Sequence, residues 1–171
     1  MKFKKYVFRD YSPKYIMLFD KEKRKLKKIL PKNCRIEHVG STSVKNLGGK
    51  GVIDILVGTK DKKGIIQIKK LLEKNKYKSA EVRGRRDKLS FERDYGIFIR
   101  RKVHIHITFV NSPTWKEYIL TRNFLRKNSE IAKEYEKIKK EALKFTKQNG
   151  KKYQNYKRKF LNKIKRKVLK K

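Results

Sequence analysis

A glycine and two hydroxyl residues stand where an apolar run ends. Gly40, Ser41 and Thr42 follow the run from Arg35 to Val39, which the β-branched residues and bounding glycine predict as a strand. Glycine lets a ligand approach the backbone closely, and consecutive N–H groups with hydroxyls can cradle phosphate oxygens. Lys50, a few residues on, supplies a positive charge. The alternative is an ordinary turn with a helix cap.

A single acid lies inside the next apolar run, from Val52 to Val57. Side chains alternate along a strand, so Asp54 and Leu56 share one face, and Ile53, Ile55 and Val57 share the other. Burying an isolated carboxylate is costly unless it is paired or coordinates a metal. Asp54 is therefore our first candidate for a functional residue. An ion pair with one of the many lysines is the alternative.

Two histidines alternate with apolar residues in a later run. His104 and His106 are two apart, so a strand there places both imidazoles on one face. With Asp54 they form a candidate mixed carboxylate and imidazole site, a donor set that suits zinc or transition metals better than magnesium. Hydrogen bonds to the backbone or to Glu37, or a direct phosphate contact, are the alternatives. His38, beside the glycine turn, is assigned a supporting or substrate-contacting role, as is Glu37.

The strings EHVGSTSV, NLGGKGVIDILV, HIHITF and TRNFLR resemble the GrpB family, which is placed in the nucleotidyltransferase superfamily with a polymerase-β-like fold. The resemblance extends over nearly the whole chain, and Lys157 falls where the family usually carries lysine. It implies a mixed β-sheet with flanking helices. It also implies a nucleoside triphosphate site built from Gly40 and Ser41, with Asp54 holding a metal.

The chain departs from the family pattern at specific positions. The superfamily normally has a second carboxylate two residues after the first, and this chain has Leu56 there. That loss argues against assuming an ordinary two-metal mechanism, in which adjacent ions stabilise the attacking and leaving oxygens. Lys45, Asn46 and Gly51 also replace a Pro-Gly pair and a proline that are usual in this loop.

Two functions from different classes remain open at this stage. The first is a nucleotidyltransferase that uses a divalent cation, Mg, Mn or Zn, and transfers to an unidentified acceptor. Its assignments are catalytic Asp54 and His106, metal ligands Asp54, His104 and His106, and nucleotide contacts Gly40, Ser41, Thr42, Lys50 and Arg122. The second is a nucleotide- or nucleic-acid-binding module without catalysis.

The chain is strongly basic. Lys and Arg number 52 against 16 Asp and Glu, a net charge of +36 over 171 residues. Such a charge attracts RNA or another polyanion at low salt but specifies none. Residues 151–171 interleave basic and apolar side chains at helical spacing, which predicts a basic amphipathic helix. A compositional bias toward lysine is the alternative, and a membrane-surface role is a weaker one.

Global features predict one soluble cytoplasmic domain covering residues 1–171. Cys34 is the single cysteine, so no intrachain disulfide can form, and no run is apolar enough to span a bilayer. Hydrophobic spacing, with turn and cap residues, predicts α/β or α+β architecture with a helical C-terminal region. The predicted helices cover residues 13–30, 61–76, 114–127 and 129–148, with Gly150 as a stop, and the remaining strands cover 77–82, 89–100 and 102–110.

Overall fold

Five strands and five helices form the chain in a computed structural model, which describes residues 7–80, 88–95, 101–146 and 150–169. In chain order the elements are α1 (Lys14–Ile29), β1 (Arg35–Val39), β2 (Ile53–Thr59), α2 (Lys62–Lys74), β3 (Lys78–Ala80), β4 (Leu89–Tyr95), β5 (Arg101–Phe109), α3 (Pro113–Lys127), α4 (Ser129–Phe145) and α5 (Gly150–Leu169). A short 3₁₀ helix, Ser41–Ser43, follows β1.

The strands form one mixed sheet in the order β1-β2-β5-β4-β3. Strands β2 and β5 are parallel, whereas every other neighbouring pair is antiparallel. Because parallel strands need a crossover connection, the chain passes through α2, β3 and β4 before β5 returns beside β2. This crossover brings two segments that are distant in sequence, β2 and β5, into the centre of the sheet. The fold is α+β with a mixed sheet, as the sequence predicts.

The alternation of side chains along β2 divides the protein into two layers. Ile53, Ile55 and Val57 pack in a core with residues of α1 and α2. On the opposite face, Leu56 packs with Val39 and with Trp115 of α3. A further apolar cluster joins α3, α4 and α5 to the loop after the 3₁₀ helix. The helical C-terminal region therefore covers the sheet face that carries Asp54.

Local sequence signals account for the helix boundaries that matter to the site. Ser112 caps α3, its hydroxyl accepting from the backbone N–H of Trp115 at 3.0 Å, and Pro113 occupies the first turn. The predicted stop at Gly150 was wrong, since Gly150 is the first residue of α5. Glycine is acceptable at a helix start, where its cost in a helix interior does not apply. The predicted helix over 151–171 is confirmed by α5 as far as Leu169.

Four predicted elements extend beyond the described residues. These are the strands predicted over 77–82 and 89–100 and the helices predicted over 129–148 and 151–171. Each helix built from the described residues is too polar or too short to cross a lipid bilayer.

Candidate functional site

A cavity of about 440 Å³ lies between the sheet and the helical layer. Its sheet wall is formed by β2 and β5, and the opposite wall by α3, α4 and α5. Seven of the ten sequence-predicted site residues line it: Gly40, Ser41, Lys50, Asp54, His104, His106 and Arg122. Thr42, Glu37 and His38 are not part of the lining.

Asp54 and the two histidines meet because of strand register. Asp54 of β2 is directly paired with His104 of β5, and His106 lies one same-face position further along β5. The Oδ1 atom of Asp54 is 3.4 Å from Nδ1 of His104 and 3.6 Å from Nε2 of His106. One carboxylate oxygen thus faces two imidazole nitrogens, and His104 and His106 share one strand face, as their spacing predicts.

Each of these imidazoles has a polar partner behind it on β4. Nδ1 of His106 is 3.0 Å from the hydroxyl of Ser90, and Nε2 of His104 is 3.8 Å from a carboxylate oxygen of Glu92. Lys102 donates to the same oxygen of Glu92 at 3.2 Å. Because β4 pairs with β5, these partners hold both rings with one nitrogen turned toward Asp54.

Burial and the histidines act in opposite directions on Asp54. Burial raises the pKa of the carboxyl group, but the contacts with His104 and His106 outweigh it and bring the pKa well below its usual value. Burial lowers the pKa of His106, and Asp54 partly opposes that shift. The result is an ionised carboxylate facing a neutral His106 near neutral pH.

The turn after β1 is built to accommodate Asp54. Gly40 has φ of 72° and ψ of −173°, a combination that L side chains rarely adopt. A Cβ at this position would collide with Oδ2 of Asp54. Glycine is therefore required at position 40 both by the backbone conformation and by the close approach of the carboxylate.

Thr42 and His38 stabilise this turn from the side away from the cavity. The hydroxyl of Thr42 donates to the carbonyl of Val52 at 3.0 Å, so at Nε2 of His38, 3.1 Å away, it acts as acceptor. His38 is buried and stacks on Phe19, with ring centroids 4.4 Å apart. Burial is the main reason that the pKa of His38 falls to about 4. His38 is thus a neutral structural histidine that donates from Nε2.

The loop between the turn and β2 is held by α4. Glu136 accepts from the backbone N–H of Gly48 at 2.7 Å, and Lys139 donates to the carbonyl of the same residue. Gly51 in this loop has φ of 68°. Because the ring of proline fixes φ near −65°, the proline usual here in the family pattern could not adopt this conformation. The loop conformation of this chain is therefore tied to its departure from that pattern.

Arg122 faces the sheet rather than solvent. It donates to Glu37 at 2.7 Å and to the carbonyl of His38 at 3.0 Å, while Arg126, one turn further along α3, donates to the carbonyl of Ser43 at 2.9 Å. Both arginines thus attach α3 to β1 and its turn. Glu37 is the ion-pair partner of Arg122 and does not contact the histidines of β5 through any described hydrogen bond.

The cavity has an excess of positive charge. Among the described residues, five lysines and two arginines line it, against the two carboxylates Asp54 and Glu117. Glu117 is paired with Lys165 at 2.6 Å. Arrangements with this charge balance favour an anionic ligand, because the ligand's negative charge offsets repulsion among the cations.

Several residues at the cavity were not assigned from sequence. Ser90 and Glu92 are placed beside His106 and His104 by the pairing of β4 with β5. The ring of Tyr118 of α3 lies 5.2 Å from that of His106. Lys139 of α4 is buried, and Lys157 of α5 is partly buried. Lys157 carried a sequence signal in its place in the family pattern, and Lys139 lies on the same helical face as Tyr135 and Ala142.

Across residues 7–80, 88–95, 101–146 and 150–169, no three His, Cys, Asp or Glu side chains are arranged as a ready-made metal site. Asp54, His104 and His106 form a polar cluster in which the imidazoles face the carboxylate directly. The donor types nevertheless fit a divalent cation, since carboxylate oxygen and imidazole nitrogen are both common ligands.

Two of the relatives of this chain carry the name GrpB. The glutamate-rich protein GrpB of Alkalihalophilus pseudofirmus is 31% identical over 158 residues, which cover 90% of each protein. The UPF0157 protein YqkA of Bacillus subtilis is 30% identical over 132 residues, 77% of this chain but 38% of that longer protein. The crystal structure of GrpB from Enterococcus faecalis superposes with a TM-score of 0.82 at 31% identity, covering 96% of this chain and 98% of that one.

A more distant likeness concerns the fold alone. The Cid1 poly(U) polymerase with bound MgGTP superposes with a TM-score of 0.50 at 16% identity, over 77% of this chain and 45% of that one. At this identity the likeness establishes a nucleotidyltransferase-like fold. The family model described as GrpB protein matches residues 6–167, and this chain therefore belongs to the GrpB family.

Proposed function

We propose that this protein binds a nucleoside triphosphate together with a divalent cation in the cavity around Asp54, and that it acts as a nucleotidyltransferase. One observation carries the proposal: the cavity combines the Gly40-Ser41 turn, the ionised Asp54 and an excess of basic side chains. A triphosphate site needs a turn whose backbone the phosphates can approach closely, positively charged groups, and an acid that binds a metal, all in one place. The nucleotidyltransferase-like fold supports this reading, although fold alone never fixes a reaction.

The turn residues take different roles in this proposal. Gly40 and Ser41 line the cavity and would contact the phosphates. Thr42 would support the turn rather than bind through its side chain, because its hydroxyl already bonds to Val52 and His38. Lys50 and Arg122 supply positive charge at the cavity wall.

Asp54, His104 and His106 would hold the cation. The distances of 3.4 and 3.6 Å from Oδ1 to the two nitrogens are near the edge of a coordination tetrahedron, about 3.3 Å for metal–ligand bonds of about 2.0 Å. Ser90 behind His106 can accept the remaining proton of that imidazole, as partners of metal-bound histidines usually do. Glu92 faces the remaining nitrogen of His104 from 3.8 Å. Mg, Mn and Zn are the candidate ions, and the bound ion would stabilise negative charge on the transferred phosphoryl group.

In nucleotidyl transfer, the oxygen of an acceptor hydroxyl bonds to the α-phosphorus and its proton passes to solvent, while the bond from the α-phosphorus to the bridging oxygen breaks and pyrophosphate leaves. We assign Asp54 and His106 to this step because both line the cavity and face each other. Leu56, buried against Trp115, stands where a second carboxylate is usual, so the site has one strand acid instead of two. His104 and His106 on the neighbouring strand occupy the adjacent positions.

Calorimetric titration tests binding. Metal-free protein would be titrated with each of the four common nucleoside triphosphates, alone and with Mg, Mn or Zn, in high salt that suppresses non-specific charge binding. We expect selective, metal-dependent binding that is lost in Asp54→Asn. If none of the ions gave selective nucleotide binding, the proposal would be overturned.

A catalytically idle nucleotide-binding module is the second candidate, favoured by Leu56 at the missing acid position. Release of pyrophosphate from the bound nucleotide distinguishes the two candidates, because the Asp54→Asn change should abolish turnover in an enzyme. If the protein bound the nucleotide but released no pyrophosphate with any acceptor or ion tested, the nucleotide-binding module would be favoured.

We also propose contact with RNA or another polyanion through the outer face of α5. This helix carries nine basic side chains and no acidic one, and Lys159, Lys163 and Arg166 are exposed. The relative from A. pseudofirmus is described as glutamate-rich, so a basic surface need not be shared within the family. Fluorescence anisotropy with a single-stranded RNA across a salt series tests the contact, and unchanged affinity in Lys159→Gln/Lys163→Gln/Arg166→Gln would contradict it.

A further inference from the structure

Three lysines from three separate segments converge on two tyrosine rings in the cavity wall. Nζ of Lys50 is 5.8 Å from the ring centre of Tyr153, and Nζ of Lys157 is 5.6 Å from the same ring. Nζ of Lys139 is 4.7 Å from the ring centre of Tyr135. Both tyrosines are buried, Tyr153 at 1% exposure, and all three lysines line the cavity.

We infer that Lys139 and Lys157, together with Lys50, form a binding site for the terminal phosphates of a polyphosphate chain. The inference rests on the proposed function, and it assigns the phosphate tail to α4 and α5 rather than to α3. Ammonium groups gathered at one cavity wall are suited to several closely spaced negative charges. A triphosphate tail offers such charges, whereas a nucleobase or a single carboxylate does not.

The electrostatics of these amines support the assignment. Burial, with the nearby charge of Lys157, lowers the pKa of Lys139 to about 7. Burial and the charge of Lys50 lower the pKa of Lys157 to about 8. Glu136 and Asp54 oppose these shifts without cancelling them, and Glu136 is also engaged by Lys140 at 2.7 Å. A polyanion would relieve the repulsion that the cluster carries when empty.

Arg122 is less suited to the terminal phosphates. Its guanidinium already donates to Glu37 and to the carbonyl of His38, and contacting a phosphate tail would require exchanging these bonds. Lys139 differs in this respect, because its hydrogen bond goes to the neutral backbone carbonyl of Gly48.

Titration with inorganic tripolyphosphate tests the site without a nucleoside or a metal. Full-length protein and the variants Lys157→Gln and Lys139→Gln would be compared by calorimetry in high salt. Lys167→Gln on α5 and Lys137→Gln on α4 are matched controls, because each removes one exposed lysine from the same helix. Circular dichroism and thermal unfolding of every variant separate lost binding from lost folding, which matters because Lys139 also holds the loop at Gly48.

We expect Lys139→Gln and Lys157→Gln each to bind tripolyphosphate at least about tenfold more weakly than the wild-type protein. Each control should change the affinity by less than about twofold. Equal affinities for folded Lys157→Gln and wild-type protein would overturn the inference. If Lys157→Gln also retained full triphosphate affinity while Asp54→Asn lost it, the inference would fail and the proposed function would stand. A wild-type protein that bound neither ligand would overturn both.

Discussion

A carboxylate oxygen of Asp54 lies so close to Gly40 that a Cβ on residue 40 would collide with it. The glycine turn and the acid of β2 are therefore one structural unit, although fourteen positions separate them in the sequence. The turn can approach a ligand only in the conformation that also places this carboxylate at the cavity wall. Changing either residue should disturb the other.

Replacing Gly40 by alanine should damage both stability and the site. The positive φ and the collision with Asp54 together predict a loss of about 1 to 3 kcal/mol in the free energy of unfolding, measured by urea denaturation. In an Asp54→Ala background the loss should be smaller, because one of its two causes is gone. Equal losses in both backgrounds would show that Asp54 does not contribute to the constraint.

The ion pair between Glu37 and Arg122 should contribute to stability. Arg122 is largely buried and the N–O distance is 2.7 Å, so a double-mutant cycle with Glu37→Gln and Arg122→Gln should give a coupling of about 1 kcal/mol. Urea denaturation of the four proteins measures it. A coupling near zero would mean that the pair does not help attach α3 to β1.

The same variants separate structure from ligand binding. Glu37→Gln leaves the guanidinium in place and frees it from its carboxylate. Triphosphate affinity should therefore be unchanged or higher in Glu37→Gln, whereas Arg122→Gln should lower it if Arg122 contacts phosphate. Weaker binding in Glu37→Gln would contradict this view of the cavity wall.

His38 should make the protein sensitive to acid. The unfolded chain takes up a proton near pH 6.5, whereas the buried His38 of the folded protein stays neutral to about pH 4. Unfolding therefore gains a proton between these values, so stability falls as pH decreases from 6.5 to 4, by up to about 3 kcal/mol.

The variant His38→Gln isolates this effect, because its side-chain amide can still donate to Thr42. Unfolding free energies of wild-type and variant protein should differ in their slopes between pH 4 and 6.5, with the variant less dependent on pH. Parallel slopes would show that His38 is protonated in the folded protein as readily as in the unfolded chain.

Lys157 should make the stability of the protein rise with pH in the alkaline range. Its pKa falls from 10.5 to about 8 on folding, so the unfolded chain holds more protons between these values and stability rises with pH across that window. Lys157→Met should remove a rise of about 2 kcal/mol, and Lys163→Met on the exposed side of α5 should leave it. Thermal unfolding from pH 7 to 10.5 measures both, and identical profiles for the two variants would contradict the burial of this charge.

The central trio could be predicted from sequence because short-range periodicity determines its geometry. Alternation along one strand places His104 and His106 on the same face, and a lone acid in an apolar strand marks Asp54. Neither pattern shows that the two strands are neighbours, which the parallel pairing of β2 with β5 establishes. The parallel register confirms that these residues come together.

Other features depend on tertiary packing that no local pattern contains. Arg122 meets Glu37 across 85 positions, and Lys139 meets Gly48 across 91. The frequency of lysine does not show which few are buried. The 3.6-residue periodicity of α4 places Lys139 on the same face as Tyr135 and Ala142, but it does not show that this lysine meets Gly48. The role of Thr42 was likewise hidden, because a hydroxyl beside a glycine can face a ligand or the protein interior.

Binding of a nucleotide and a cation around Asp54 can be seen in a crystal structure of the protein with Mn and a non-hydrolysable nucleoside triphosphate analogue. Anomalous diffraction locates Mn independently of the protein. We expect an anomalous peak about 2.0 to 2.3 Å from Asp54 Oδ1 and from at least one imidazole nitrogen of His104 or His106, with the nucleotide's phosphates against Gly40 and Ser41. An ordered nucleotide bound outside this cavity, or one inside it with Mn remote from Asp54, would overturn the proposed function.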